Sequence, residues 1–197
     1  MNFLAHIFLS FGDKEITIGN FIADSIRANK FQHLPTKVQK GIKLHRHIDT
    51  YTDAHSIPKI SSRRLHANYS HYSRVIVDIY YDHFLAKNWS KYSDTPLDIF
   101  VEDFYDLLED NYEILPEGVK RMMPYMISDN WLYNYSKMEG IGNVLNGMNR
   151  RTKNKSKMNF AIIDLEEHYD SFEKEFTEFF EELITFSKHK YISLLGK

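Results

Sequence analysis

The sequence predicts a single all-α domain of seven or eight helices that extends over residues 1–197. Apolar residues recur at helical spacing along most of the chain, and no segment shows the apolar–polar alternation that is typical of strands. The composition, with 43% hydrophobic and 15% aromatic residues, supplies a large core. A chain of this length buries roughly 70% of its surface on folding, so a helical fold with a substantial interior is expected.

Four helices are predicted in the first half of the chain, and turn-forming residues separate them. Gly12-Asp13 ends the first helix, Pro35 precedes the third, and Pro58 breaks the next junction. A basic and polar segment, residues 59–68, is predicted to lead from that junction into a long helix. The predicted helices cover residues 3–11, 16–28, 36–54 and 70–90.

The second half of the chain continues the helical pattern. Pro96 begins one helix, and Pro116 and Pro124 bracket a short one. The segment 150–158, RRTKNKSKM, combines high charge with no apolar stripe and is predicted to be a mobile loop. The remaining predicted helices cover residues 129–149 and 162–186, the latter with a strongly acidic outer face.

The composition excludes several kinds of site. The chain has no cysteine, which rules out disulfides, thiolate nucleophiles and cysteine-ligated metals. No stretch approaches the ~20 apolar residues that span a bilayer, and the start MNFLAHIFLS does not resemble a signal peptide. These features favour a cytoplasmic protein with no membrane partner. The sequence also lacks a Walker loop, a G-x-G-x-x-G, a G-x-S-x-G and an HExxH motif.

Two basic groups stand out although the net charge is only −2. Each is compatible with a solvated helix face or with a docking surface for an anionic partner. No nucleic-acid recognition motif accompanies them, so nucleic acid is not an expected partner. The first basic group comprises Arg27, Lys30, Lys37, Lys40, Lys43 and Arg46, and the second comprises Arg150, Arg151, Lys153, Lys155 and Lys157.

Polar residues four positions apart interrupt the apolar stripes of three predicted helices. Side chains at this spacing meet on one helix face. A single residue of this kind is compatible with a hydrogen-bonded core position or with pairing to an arginine, but their coincidence indicates a divalent metal site. His6 lies off the centre of its stripe, and periodicity alone predicts a surface position for it. The interrupting residues are Asn20 and Asp24, His45 and Asp49, and Asp78 and Asp82 with the adjoining His83.

Five segments together resemble the bacterial acyl carrier protein phosphodiesterase family, in order over roughly residues 1–170. The resemblance implies an HD-like helical fold and a metal-dependent phosphodiesterase that is distantly related to the HD phosphohydrolases. It implies removal of 4'-phosphopantetheine from a serine of holo-acyl carrier protein, a small acidic protein substrate. The segments are MNFLAHIFLS, GNFIAD (19–24), GIKLHRHIDTYTD (41–53), YYDHFLAKNW (80–89) and NVLNGMNRR (143–151).

The resemblance also implies a set of site residues. The metal is expected to be Mn²⁺, with Mg²⁺, Fe²⁺ or Co²⁺ as alternatives, and the residues present could supply one or two ions. The adjacent His-Asp pair of HD proteins is missing here, since residues 82 and 83 have the order Asp-His. The expected metal ligands are Asp24, His45, Asp82 and His83; the expected catalytic residues are His6, Arg46 and Asp49; and the expected substrate-binding residues are Arg27, Lys43, Arg150 and Arg151. Two roles stay open: His6 is a ligand, a substrate contact or a support, and Asp49 is a ligand or a carboxylate that orients His45.

Two other functions fit the same sequence features. An HD-like phosphohydrolase acting on a small phosphodiester or a nucleotide would need the same metal site. An all-α binding protein that uses a metal structurally, or uses none, would show no metal-dependent phosphodiesterase activity.

Overall fold

The computed structural model describes residues 1–196, and within them the fold is all-α, as predicted. It contains eleven α-helices, of which eight have nine or more residues, and no strand is present in this part of the chain. The helices are α1 Phe3–Phe8, α2 Lys14–Ile22, α3 Thr36–Ala54, α4 Ser56–Tyr69, α5 Ser73–Lys87, α6 Leu97–Asp110, α7 Glu117–Ser128, α8 Trp131–Asn134, α9 Met138–Arg151, α10 Ala161–Glu167 and α11 Tyr169–Leu195.

The buried apolar side chains form one core to which every long helix contributes. Its centre is rich in aromatic rings from α5 and α11, such as Phe84 against Phe176, whose ring centroids are 6.0 Å apart. Between residues 1 and 196, no helix combines the length and the hydropathy that a membrane crossing requires.

The segment 59–68, predicted as a polar lead-in to the next helix, is instead part of α4. Pro58 does not break the helix, because it lies in the first turn of α4, where a missing N–H costs no helical hydrogen bond. The His55 side chain caps the same turn by accepting a hydrogen bond from the Ile57 N–H (3.2 Å). Leu65 is fully buried. Helix α4 therefore has an apolar face, although its basic residues make the segment look polar in the sequence.

Several predicted helix boundaries are wrong because an apolar stripe can continue across a break in the helix. Pro124 lies inside α7 rather than at its end, and α11 continues to Leu195. The predicted helix 16–28 ends at Ile22 and is followed by the short turn Ala23–Ser25, and the predicted helices 129–149 and 162–186 are each divided, at residues 135–137 and at His168.

The segment 150–158, predicted as a mobile loop, begins as the last turn of α9 and continues as a hydrogen-bonded turn. The Ser156 N–H donates to Thr152 Oγ1 (3.2 Å), and the Ser156 hydroxyl donates to Asn149 Oδ1 (3.1 Å). Ser156 is buried. The polar side chains that suggested a loop therefore hold this turn together.

Helices α2 and α3 are packed unusually closely, and two glycines make this possible. A Cβ atom on Gly19 would lie 2.0 Å from the carbonyl oxygen of Val38, and one on Gly41 would lie 2.2 Å from that of Ile16. No side chain fits at either position. The close approach brings Asn20 of α2 against α3, where the candidate site forms.

Helix α1 is anchored by a carboxylate from a distant part of the chain. Asp82 of α5 is fully buried, and it accepts hydrogen bonds from the backbone N–H groups of Leu4 (2.7 Å) and Ala5 (3.2 Å). The first N–H groups of a helix have no partner within the helix, so Asp82 caps α1. This contact fixes α1 in an orientation that buries His6, which is only 2% exposed. The surface position that periodicity predicts for His6 is therefore wrong.

Candidate metal centre

Two histidines and one aspartate converge where α1 meets α3. His6 Nε2 lies 3.2 Å from Asp49 Oδ1, and His45 Nε2 lies 3.0 Å from Asp49 Oδ2. The two imidazole rings are stacked, with centroids 3.9 Å apart and planes inclined by 17°. Among residues 1–196, these three side chains form the group of histidines and carboxylates whose donor atoms all lie within 4.8 Å of one another.

Asp24 completes the cluster on its solvent side. Its Oδ1 lies 3.2 Å from His45 Nε2, and its side chain is 73% exposed, whereas that of Asp49 is 40% exposed. The helix break after Ile22 puts Asp24 in the short turn Ala23–Ser25 rather than on a continuous helix. His45 consequently faces two carboxylates, one on its own helix and one from this turn.

Asn20 holds the opposite edge of both imidazole rings. His6 Nδ1 lies 2.8 Å from the side-chain oxygen of Asn20, and His45 Nδ1 lies 2.8 Å from the backbone oxygen of the same residue. The Nε2 atom of each ring is therefore the one that faces Asp49. Although Asn20 interrupts an apolar stripe in the sequence, nothing in the sequence alone assigns it this role.

The surroundings set distinct charge states within the cluster. Burial disfavours protonation of His45, but contacts with Asp24 and Asp49 outweigh it and raise the His45 pKa to about 9. Burial and the charge of His45 lower the pKa of His6 to about 4. Burial alone would raise the pKa of Asp49, yet the hydrogen bond from His45 holds it well below the usual range. The hydrogen bond from His45 likewise lowers the pKa of Asp24.

One atom of the cluster lacks a partner, and this tests whether a metal ion would fit. His6 Nε2 is buried and makes no hydrogen bond, although it lies 3.2 Å from Asp49 Oδ1. A neutral ring that donates through Nδ1 presents a lone pair at Nε2, so two acceptors face each other. A buried acceptor without a partner costs about 1–3 kcal/mol. A divalent cation held by His6 and Asp49 would remove this cost, and imidazole nitrogen with carboxylate oxygen is a donor set that suits such an ion.

The structure does not bring Asp82 and His83 into the cluster. Asp82 caps α1, and burial raises its pKa to about 7. His83 has both ring nitrogens engaged elsewhere, Nδ1 with the backbone oxygen of Tyr135 and Nε2 with the hydroxyl of Tyr169, each at 2.7 Å. Of the metal ligands expected from the sequence, the structure therefore brings Asp24 and His45 together with His6 and Asp49, and leaves Asp82 and His83 outside this group.

Arg46 also lies outside the cluster. Its guanidinium donates to the backbone oxygen of Ala28, approaches Asn29 Oδ1 at 3.4 Å, and stacks 5.0 Å above the ring of Phe31. These contacts direct the side chain to the segment between α2 and α3. The geometry thus gives Arg46 a role in holding this segment rather than a place beside His45.

The four residues expected to bind substrate are all exposed. Arg27 follows Asp24 closely in the chain, and Lys43 lies on the outer face of α3. Arg150 and Arg151 form the last turn of α9. All four are free to meet a partner.

A small cleft lies one helical turn beyond Asp49. Asp53 shares the face of Asp49, and its Oδ1 lies 3.6 Å from Arg74 Nη1, with both side chains 65% exposed. Asp78 lies across the cleft, 3.0 Å from the amino nitrogen of Met1, which is itself 4.0 Å from Asp49. The cleft is lined by Thr52, Asp53, Pro58, Lys59, Arg74, Val77 and Asp78.

Comparison with known proteins places these features in a family. The sequence model of the family described as acyl carrier protein phosphodiesterase matches residues 1–183. A protein of that name from Escherichia coli O139:H28 is 34% identical over 196 residues, covering 96% of this chain and 99% of its own. Those from Photorhabdus laumondii and Pectobacterium atrosepticum are 32% and 30% identical and cover 96% and 95% of this chain, and 96% and 98% of their own. No solved structure matches, so the HD-like fold remains a prediction.

Proposed function

This chain belongs to the acyl carrier protein phosphodiesterase family, and from that premise we propose that it removes 4'-phosphopantetheine from holo-acyl carrier protein. Water attacks phosphorus, the bond from phosphorus to the serine oxygen breaks, and the serine oxygen takes a proton. The products are apo-acyl carrier protein and 4'-phosphopantetheine. The observation that carries the proposal is the convergence of His6, His45 and Asp49, whose donor atoms all lie within 4.8 Å of one another.

The proposal includes a divalent cation, with Mn²⁺ as the first choice and the cytoplasm as the compartment. His6, His45 and Asp49 would hold the cation, with Asp24 on the exposed side. Two imidazoles and carboxylate oxygens suit Mn²⁺, Fe²⁺ and Co²⁺. A cation bound there would lower the pKa of a water molecule and polarise a phosphoryl oxygen.

The residues of the chain contribute orientation and proton transfer. The stacked rings and Asp49 are fixed by buried contacts, so the donor atoms need little rearrangement to bind an ion. Asp24 is ionised at neutral pH, because the hydrogen bond from His45 lowers its pKa. Since it is the most exposed member of the cluster, it is placed to accept a proton from the attacking water and to return one to the serine oxygen.

Positive charge around the cluster suits an anionic protein substrate. Lys59 and Arg74 line the cleft beyond Asp49 and could bind the phosphodiester, a role for which Arg46 is not placed. Farther out, we propose that Arg27 and Lys43 of the first basic group and Arg150 and Arg151 of the second contact the acidic carrier protein. Charges at such a rim mainly raise the association rate and its sensitivity to salt.

The test uses purified protein that has been freed of metal. It is incubated with holo-acyl carrier protein with and without Mn²⁺, and the mass of the carrier is followed. Loss of the phosphopantetheine mass only with the ion supports the proposal. Absence of any loss with Mn²⁺, Mg²⁺, Fe²⁺ or Co²⁺ overturns the proposal, and small phosphodiesters are then the next substrates to test.

Substitutions then connect the reaction to the cluster. Asp49→Asn keeps the shape of the side chain and removes its charge, and we expect it to lower both Mn²⁺ affinity and turnover by at least roughly 100-fold. An Asp49→Asn protein with normal turnover would remove the cluster from the mechanism while leaving the reaction itself intact.

A further inference from the structure

One buried residue, Asn20, contacts both histidines of the cluster. It is fully buried on α2, and its surroundings include two other buried polar groups, the backbone oxygen of His6 and the hydroxyl of Ser10. The Asn20 side-chain nitrogen lies 2.7 Å from the His6 oxygen and 3.0 Å from Ser10 Oγ. Its side-chain oxygen lies 2.8 Å from His6 Nδ1.

These contacts determine which way the Asn20 amide points. The backbone oxygen of His6 can only accept hydrogen bonds, so the atom 2.7 Å from it must be the NH₂ group. Ser10 donates its own proton to the same backbone oxygen (2.9 Å), which leaves its lone pairs to accept from that NH₂ group. The remaining amide atom is therefore the oxygen, and it is an acceptor for His6 Nδ1.

The orientation of the amide determines the tautomer of His6. An acceptor at 2.8 Å requires a proton on Nδ1, so neutral His6 has a bare lone pair at Nε2. His45 is fixed in the same way, because its Nδ1 lies 2.8 Å from the backbone oxygen of Asn20, which is also an acceptor only. One residue thus sets both rings, through its side chain in one case and its main chain in the other.

The tautomer of His6 is the opposite of the one that its other neighbour would select. Asp49 Oδ1 lies 3.2 Å from His6 Nε2, and a proton on Nε2 would give that carboxylate a donor. The ring instead presents an unpartnered acceptor to a carboxylate. An arrangement that is unfavourable without a cation, and that a buried amide maintains, is what a preformed cation site requires.

We propose that Asn20 is a positioning residue that holds His6 and His45 with both Nε2 atoms directed at Asp49 and that keeps the Nε2 lone pair of His6 free, so that this part of the cation site exists before the cation binds. The binding of a catalytic cation at this site rests on the proposed function, whereas the position of the protons on the two rings does not. Without the Asn20 side chain, the proton of His6 should move to Nε2 and bond to Asp49. A cation would then have to displace that proton and reorganise the ring.

The test measures the ring nitrogens of the metal-free protein by ¹⁵N NMR at neutral pH. In the wild type we expect His6 to have a protonated Nδ1 and an unprotonated Nε2. Asn20→Ala should move the proton to Nε2 of His6, while Nδ1 of His45 remains protonated because its partner is a backbone oxygen. Ser10→Ala is the matched control, since it removes a buried hydroxyl beside Asn20 and should leave the His6 tautomer unchanged.

Cation affinity provides the second measurement. Calorimetric titration with Mn²⁺ should show binding weakened by roughly 10–100-fold in Asn20→Ala, and little changed in Ser10→Ala. The tautomer of His6 in the wild type keeps the inference testable even if Asn20→Ala fails to fold.

Two results would overturn the inference. A wild-type His6 protonated at Nε2 would contradict it directly, without any variant. An Asn20→Ala protein with an unchanged His6 tautomer and unchanged Mn²⁺ affinity would show that Asn20 only packs. Both results are independent of turnover, so failure to cleave holo-acyl carrier protein would refute the proposed function and leave this inference standing.

Discussion

Replacing Gly19 by alanine should separate α2 from α3 and disrupt the cluster. The added Cβ would lie 2.0 Å from the carbonyl oxygen of Val38, whereas real Cβ atoms essentially never approach another atom closer than 3.0 Å. The obstacle is backbone, so it cannot turn aside as a side chain can. The two helices must therefore move apart by at least the difference, 3.0 − 2.0 = 1.0 Å.

A displacement of this size is enough to break the contact that links the helices at the site. The hydrogen bond from His45 Nδ1 to the backbone oxygen of Asn20 is 2.8 Å long, and an added 1 Å or so takes it beyond hydrogen-bonding distance. Overpacking of this kind costs about 1–3 kcal/mol. For a chain of this size, each kcal/mol lowers the melting temperature by about 2–4 °C. We therefore expect a clear loss of thermal stability together with weaker Mn²⁺ binding.

The assay is thermal unfolding in a chelating buffer, followed by calorimetric titration with Mn²⁺. Gly142→Ala is the matched control, because Gly142 lies inside α9 and a Cβ there would meet nothing within 4 Å. That substitution should stabilise the protein by about 0.5–1 kcal/mol, since alanine favours the helix over glycine. A Gly19→Ala protein with the melting temperature and Mn²⁺ affinity of the wild type would refute the reasoning.

Three further predictions concern His45, His83 and the second basic group. In metal-free protein, the His45 pKa of about 9 exceeds the unfolded value of 6.5, which corresponds to a stabilisation of about 3 kcal/mol. This stabilisation is complete below pH 6.5 and is lost as the pH rises through 9, and urea unfolding of the wild type and of His45→Gln will measure it. His83→Gln should keep Mn²⁺ affinity within about twofold while losing about 1–3 kcal/mol of stability from its buried partners; a drop in affinity matching that of Asp49→Asn would instead make His83 a ligand. Arg150→Glu with Arg151→Glu should raise KM for the carrier protein roughly tenfold at low salt with kcat unchanged, and an unaltered KM would remove the second basic group from the docking surface.

The helical character of the chain could be predicted from the sequence because it depends on local spacing. Helix α3 is the clearest case, since its stripe predicts residues 36–54 and the structure has Thr36–Ala54. The same spacing places His45 and Asp49 on one face, four residues apart, and their side chains are in contact. For these two residues, the one relevant distance lies within a single helix, which is why spacing alone was sufficient.

The position of His6 could not be predicted in this way. Helix α1 has six residues, fewer than two turns, so its apolar stripe is too short to define a buried face. Its orientation depends instead on Asp82, 77 and 78 residues away from the N–H groups that it caps. The resemblance to a known family included His6 among the site residues, whereas its burial follows from that long-range contact.

The roles of the other polar residues were also decided by tertiary contacts. Asp82 and His83 have the residue types of metal ligands, but one caps a helix and the other bonds to Tyr135 and Tyr169. Asn20 has the residue type of an ordinary buried amide, yet it meets both rings of the cluster. Periodicity determines which residues leave the solvent, and the sequence by itself determined that much here. Which atoms they then meet depends on how closely neighbouring helices approach, and only the tertiary structure fixes that distance.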